Sequence, residues 1–275
     1  MPQRSSLRNE SPSTPMLLHE QSDAVAVLTL NRLDTRNSLS AQMAADLRTA
    51  FETIGADASV RVVILAGQGP GFCAGHDLKE ITAHREDADG GRAFTRDLMQ
   101  SCSEMMQLIV RLPQPVIAAI EGAAAAAGCQ LVASCDLAVG SSSAQFSTPG
   151  VNIGLFCCTP MVALSRNVAR KQAMEMLLTG DMISADAALR IGLINKVVQP
   201  GTACEEVLKL ARKIVAKPAA TVKLGKQAFY RQLEMGLSEA YRYTSEVMVE
   251  NMMAADAKEG IAAFIDKRHP RWEDR

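Results

Sequence analysis

Two segments of the 275-residue chain share one plan: an apolar strand, a turn of small residues, and the start of a helix. The first is ILAGQGPGFCAGHDLKE, where Val60–Gly67 reads as a buried strand and a helix opens at about Asp77. The second is VIAAIEGAAAAAGCQLVASCD, where Val116–Gly122 is the strand and Ala126–Gly128 must turn straight into a helix. Small residues let the backbone approach a ligand closely, and the first N–H groups of a helix have no partner within it. The helix dipole adds positive potential at the same place. Two such turns facing one another make a two-donor pocket for a developing oxyanion, although Gly/Ala turns also serve plain helix–sheet packing.

The rest of the chain extends this alternation. Ala24–Leu30 is a branched apolar run that reads as a buried strand. Ser40 reads as the cap of a helix through about Gly55, with Met43, Leu47, Phe51 and Ile54 at helical spacing. A helical pattern from Gly91 to about Leu112 stops at Pro113 and Pro115. DLAVGS and AQFST are short strands, and helices over Thr159–Val168, Lys171–Leu178 and Ser184–Ile191 lead to the strand LINKVVQ. After Gly201 the chain is helical throughout, over Thr202–Ala216, Pro218–Arg231, Leu237–Ala254 and Asp256–Lys267. Alternation of strand and helix predicts an α/β fold with a parallel-sheet core, and an uninterrupted helical tail docks on something, often another subunit. The expected division is a flexible arm over 1–16, an α/β core over 17–200 and a helical subdomain over 201–275.

Composition narrows the function. With 48% hydrophobic and 21% charged residues, the chain is not of the disordered class. A formal charge of −1 speaks against binding to nucleic acid or a membrane surface through bulk electrostatics. No run reaches the ~18 apolar residues of a membrane span. Residues 1–16 are polar and lack the apolar core of a secretory signal. Seven cysteines, an odd count without metal-ligand spacing, read as reduced thiols in a cytoplasm-like compartment. Four dispersed histidines point away from a His-rich metal site.

Five ordered segments, NRLDTRNSLS, FCAGHDLKE, EGAAAAAGCQLVASCDLAVGSSSAQFSTPGVNIG, RKQAMEMLLTGDMISADAALRIGLINKVV and EGIAAFIDKRHP, resemble the enoyl-CoA hydratase/isomerase (crotonase) superfamily. The resemblance runs from about Leu18 to Trp272. GHDLKE, GCQLVASCD and TPGVNIGLFC are most similar to the enoyl-CoA hydratase domain-containing proteins. It implies a crotonase (ClpP-like) spiral of ββα units with C-terminal helices at the contacts of a homotrimer or dimer of trimers. It also implies an acyl-CoA or enoyl-CoA thioester as substrate or ligand, no other cofactor, and a nominal place in fatty-acid metabolism as a lyase or isomerase. The compartment would be the cytoplasm, or the mitochondrial matrix if the source is eukaryotic.

The same resemblance places residues. The oxyanion-hole N–H groups fall on His76 and Ala127, and Ala74, followed by Gly75, matches the position that receives the CoA adenine amino group. Arg32 and Arg36 lie in the loop that meets CoA phosphates, where a solvated loop charge is the alternative. Phe264 and Lys267 match a C-terminal CoA contact, with helix packing the alternative for Phe264. The family's two glutamates fall on Gln130 and Gly150. Glutamine can orient water but cannot cycle a proton near neutral pH, and glycine has no side chain. Standard hydratase activity is therefore doubtful; the alternatives are an acyl-CoA-binding protein without turnover and an acyl-CoA thioesterase. Gly150 is also expected to leave a void for water or a small anion.

The remaining polar candidates divide by environment. The His76 imidazole is a natural base near neutral pH, against a reading in which only its backbone matters. Cys157 and Cys158 face the acyl group or are inert packing. Asp77 is expected to cap its helix, and Asp136 to end its unit away from substrate.

Overall fold

The computed structural model describes residues 14–273. Strands β1 (Leu17–Ser22) and β2 (Val25–Leu30) form an antiparallel hairpin and lead to helix α1 (Ala41–Ala56). The Ser40 side chain caps α1 by accepting from the Met43 N–H. Next come β3 (Val62–Gly67), β4 (Gly71–Cys73), α2 (Leu78–Ala83) and α3 (Arg92–Arg111). The central run is β5 (Val116–Ile120), β6 (Ala123–Ala125), α4 (Ala127–Ser134), β7 (Leu137–Ser141) and β8 (Gln145–Ser147). Helices α5 (Pro160–Asn167) and α6 (Arg170–Thr179), strand β9 (Ile183–Ser184), α7 (Ala185–Arg190) and β10 (Lys196–Val198) follow. The chain ends in α8 (Ala203–Val215), α9 (Ala219–Gln232), α10 (Leu237–Met253) and α11 (Ala255–Ile265).

The strands form two sheets, one of order β1-β2-β3-β5-β7-β10 and a smaller one of order β4-β6-β8-β9. The large sheet is parallel from β2 to β10, and helices cover both its faces. Val62, Ile64 and Ala66 of β3 pack with Ala203, Val207 and Ala211 of α8. Val63 and Leu65 pack on the other side with Met43, Leu47 and Phe51 of α1 and Met105 and Ile109 of α3. Burial on both faces explains the unbroken apolar runs of these strands, each large side chain contributing ~1.5–3 kcal/mol.

Several sequence expectations change. Leu17–Ser22 is a strand that no apolar run announces, because its side chains are mostly exposed. The expected arm over 1–16 lies outside the described residues up to position 13, but Pro15 and Met16 are anchored. Their carbonyls accept from the Asn31 side chain at 2.9 Å and the Asn31 N–H at 2.7 Å. Asp136 lies between α4 and β7, at the end of its unit as expected, and has a further role. It accepts from Lys226 Nζ at 2.7 Å and Tyr230 Oη at 2.9 Å, tying α9 to the core. No helix among the described residues is long and apolar enough to cross a membrane.

Candidate functional site

The carboxyl ends of β4, β6 and β8, neighbours in one parallel arrangement, bring three turns together: 74–76, 126–127 and 148–150. Ligands of open α/β sheets characteristically sit beyond the carboxyl ends of strands. Gly75 has φ +98°, and a Cβ there would lie 2.9 Å from the Ala126 Cβ and 3.5 Å from the Ala127 nitrogen. A Cβ on Gly128 would lie 2.1 Å from the Cys73 carbonyl oxygen, so only glycine lets α4 start against β4. Ala126 is held at φ 49° and donates its N–H to Ser147 O at 3.0 Å.

This geometry leaves two donors unused. Leu39 N–H donates to Gly75 O at 2.8 Å and Asp77 N–H to Leu39 O at 3.0 Å, so the bridge skips the His76 N–H. Ala127 is the first residue of α4 and has no acceptor one turn back. Among the described residues neither N–H has a protein acceptor. Two unpaired N–H groups on turns packed against each other can receive an oxygen that gains negative charge.

The loop from Asn31 to Ser40 is fastened to the first turn. Asn37, fully buried at φ 58°, donates to Gln68 O at 2.9 Å and Gly71 O at 2.8 Å and accepts from Arg32 N at 2.8 Å. Arg32 donates from Nη2 to Asp77 Oδ2 at 2.9 Å and from Nη1 to Ser38 O at 3.0 Å. Asp77 caps α2 as expected, accepting from Lys79 N and Glu80 N. Burial pushes the Asp77 carboxyl up, but Arg32 and these N–H groups outweigh it and hold the carboxyl below its ordinary value. Arg32 is thus no solvated loop charge; its guanidinium ties Asp77 to the Ser38 backbone. Arg36 stays exposed in the left-handed region, its carbonyl accepting from the Ala74 N–H at 3.1 Å. Ala74 is exposed, which leaves its carbonyl as the polar group it offers.

At the two carboxylate positions the structure shows an amide and a filled space. Gln130 is buried on α4, and its Oε1 has no partner. Gly150 leaves no void: a Cβ there would lie 2.8 Å from Leu155 O and 3.0 Å from Cys157 Sγ. The expected space for a small anion is occupied by that loop. Eight buried side-chain polar atoms lack partners among the described residues, and five of them belong to His76, Gln130, Ser147 and Thr148. Each orphan costs ~1–3 kcal/mol, so their concentration at these strand ends marks a place built to contact something polar. Burial pushes the His76 imidazole below its ordinary value. Burial likewise raises the Cys157 thiol, against a pull from the Gly150 N–H.

Phe264 and Lys267 do not join these turns. Phe264 is 86% exposed on α11, which rules out packing within the chain, and Lys267 is exposed at φ 53°. Sequence reasoning missed Asn37, Ser147 and Thr148; small polar residues at the end of a strand were the available signal for the last two.

Residues 20–275 match the family model described as enoyl-CoA hydratase/isomerase. The chain belongs to that family. It is 47% identical over 252 residues to the Rattus norvegicus "Enoyl-CoA hydratase domain-containing protein 3, mitochondrial", covering 92% of this chain and 82% of that protein. A solved enoyl-CoA hydratase of Mycobacterium smegmatis is 50% identical with a TM-score of 0.90, covering 94% of this chain and 99% of that one. Human enoyl coenzyme A hydratase domain-containing protein 3 gives 44% identity and a TM-score of 0.88, covering 94% and 100%. The enoyl-CoA hydratase/isomerase family and the two-sheet architecture together establish the expected crotonase fold.

Proposed function

We propose that the chain binds acyl-CoA thioesters, with the thioester oxygen received by the N–H groups of His76 and Ala127 so that an enolate is stabilised there. The observation that carries this reading is the pair of unused donors, locked side by side through the Gly75–Ala126 contact. Oxyanion donors of this kind contribute ~10²–10³-fold each to rate. The Ala74 carbonyl suits an adenine amino group and the exposed Arg36 a CoA phosphate. Arg32 holds the first turn in place through Asp77.

Exposed Leu237, Tyr241, Met248, Met253, Ile261 and Phe264 on α10 and α11 support a homotrimer or dimer of trimers, in which Phe264 and Lys267 serve a neighbouring site. The rat relative is named as mitochondrial, which supports the matrix if the source is eukaryotic. Crotonyl-CoA hydration is slow in this reading, because neither Gln130 nor Gly150 can carry a proton. That pair also favours a second reading, acyl-CoA binding without turnover; thioester hydrolysis on the same donors is the third.

Calorimetry with CoA, acetyl-CoA and crotonyl-CoA tests the proposal, alongside loss of enoyl absorbance and release of free thiol. Binding is expected, and it should weaken in a folded Ala127→Pro variant, which lacks the N–H, but not in Ala127→Gly. Absence of binding to all three ligands overturns the acyl-CoA reading. Equal effects of the two substitutions overturn the role of Ala127.

A further inference from the structure

We propose that the Cys157 thiol is the proton-transfer group of this site, standing where residue 150 brings no side chain. The inference rests on the acyl-CoA reading and goes beyond it by assigning the acid–base chemistry to a residue outside both carboxylate positions. Its basis is steric. The Cys157 sulfur lies 3.0 Å from where a Gly150 Cβ would be, and the Cys157 nitrogen 3.3 Å, so the thiol occupies the start of any side chain at 150.

The thiol is also held in place. Cys157 is 7% exposed, and its carbonyl accepts from the Met161 N–H at 2.9 Å at the start of α5. α5 packs against α4, from which Cys129 faces it, while Cys158 adjoins it in its own loop. No charged side chain is among the groups that shift it. Two further side chains, one on α4 and one in the 148–150 turn, carry buried polar atoms without a partner among the described residues. Gln130, 5% exposed on α4, and Thr148, fully buried two residues before Gly150, carry the partnerless atoms Oε1 and Oγ1. Buried polar atoms are rarely left unpaired, and these two lie close in sequence to Ala127 and Gly150.

The step balances without a further reactant. The Cys157 thiolate takes a proton from the carbon next to the thioester carbonyl: the C–H bond breaks and the S–H bond forms. The electron pair moves into an enolate whose oxygen receives the His76 and Ala127 N–H groups. The reverse step returns a proton to that carbon and regenerates the thiolate. Burial raises the thiol, so the reactive form is scarce at neutral pH and accumulates on the alkaline side.

Exchange of the α-protons of butyryl-CoA in D2O, followed by mass spectrometry with calorimetric binding in parallel, reads this chemistry. Wild-type exchange should rise about tenfold per pH unit from about pH 7 to about pH 9. Cys157→Ala should lose about 10²-fold or more while binding stays within about threefold. Cys157→Ser, nearly isosteric, should lose as much and guards against misfolding of the alanine variant. Cys157→Asp should restore exchange with a profile flat above about pH 6, and Cys158→Ser should match the wild type. Butyryl-CoA binding without exchange, or exchange kept in Cys157→Ala, overturns this assignment and leaves the binding proposal standing. Failure of wild-type protein to bind butyryl-CoA overturns both.

Discussion

Gly75 and Ala126 meet so closely that a Cβ on Gly75 would come within 2.9 Å of the Ala126 Cβ. The contact sets the spacing of two turns that belong to strands separated by the whole of α2 and α3. Both residues have positive φ, +98° for Gly75 and 49° for Ala126. Gly75→Ala should therefore cost ~2–4 kcal/mol in urea unfolding, strain and overpacking combined. Ala126→Gly should instead gain ~0.5–1 kcal/mol, raising Tm by about 2 °C.

Gly150 and Gln130 should respond differently to added carboxylates. Gly150→Ala already meets Leu155 O at 2.8 Å and Cys157 Sγ at 3.0 Å, so ~1–3 kcal/mol of destabilisation is expected. Gly150→Glu should be worse, whereas Gln130→Glu keeps the shape of a residue that already fits. Thermal melts of the three variants, with crotonyl-CoA hydration of the glutamate variants, check the ordering.

Lys226 and Asp136 form a buried pair with side chains 6% and 15% exposed. Lys226 Nζ also donates to Ile109 O and Gln114 O at 3.0 Å each, and Val116 N–H donates to Asp136 Oδ2 at 2.7 Å. Burial holds Lys226 below its ordinary value, with Asp136 pulling it back up. Lys226→Met takes the paired cation from a buried carboxylate and should cost ~3–5 kcal/mol. Adding Asp136→Asn should cost less than the two single losses summed, in a double-mutant cycle by urea unfolding.

His76 gives a pH signature of its own. Its imidazole is held below the ordinary value by burial, so below about pH 6.5 the unfolded chain binds a proton that the folded chain resists. Stability is fully present above that pH and falls as the pH drops toward the folded-state value. His76→Asn should flatten the fall in Tm between about pH 7 and pH 5 relative to wild type. An unchanged slope contradicts a desolvated ring.

The parallel core was legible because strands buried on both faces spell unbroken apolar runs, as in VVILAG of β3. β4, β6 and β8 were not fully legible: three residues carry no period, yet these strands set the site. The turns that carry His76 and Ala127 could be placed from their runs of small residues, because those residues mark where backbones approach closely. The tie between Arg32 and Asp77 was not legible because the two lie 45 positions apart, a pairing that only tertiary structure supplies. The contact between Gly150 and Cys157 was invisible for the same reason. Phe264 is exposed on a helix whose covering surface lies beyond a single chain in the proposed trimer.

The central claim is that a thioester oxygen sits on the N–H groups of His76 and Ala127. Infrared difference spectroscopy of butyryl-CoA carrying a ¹³C-labelled thioester carbonyl reads those two hydrogen bonds at the atom concerned. The account predicts a bound carbonyl band clearly below its frequency in water, returning toward the free value in a folded Ala127→Pro variant. A bound band at the free frequency in the wild-type protein would contradict it.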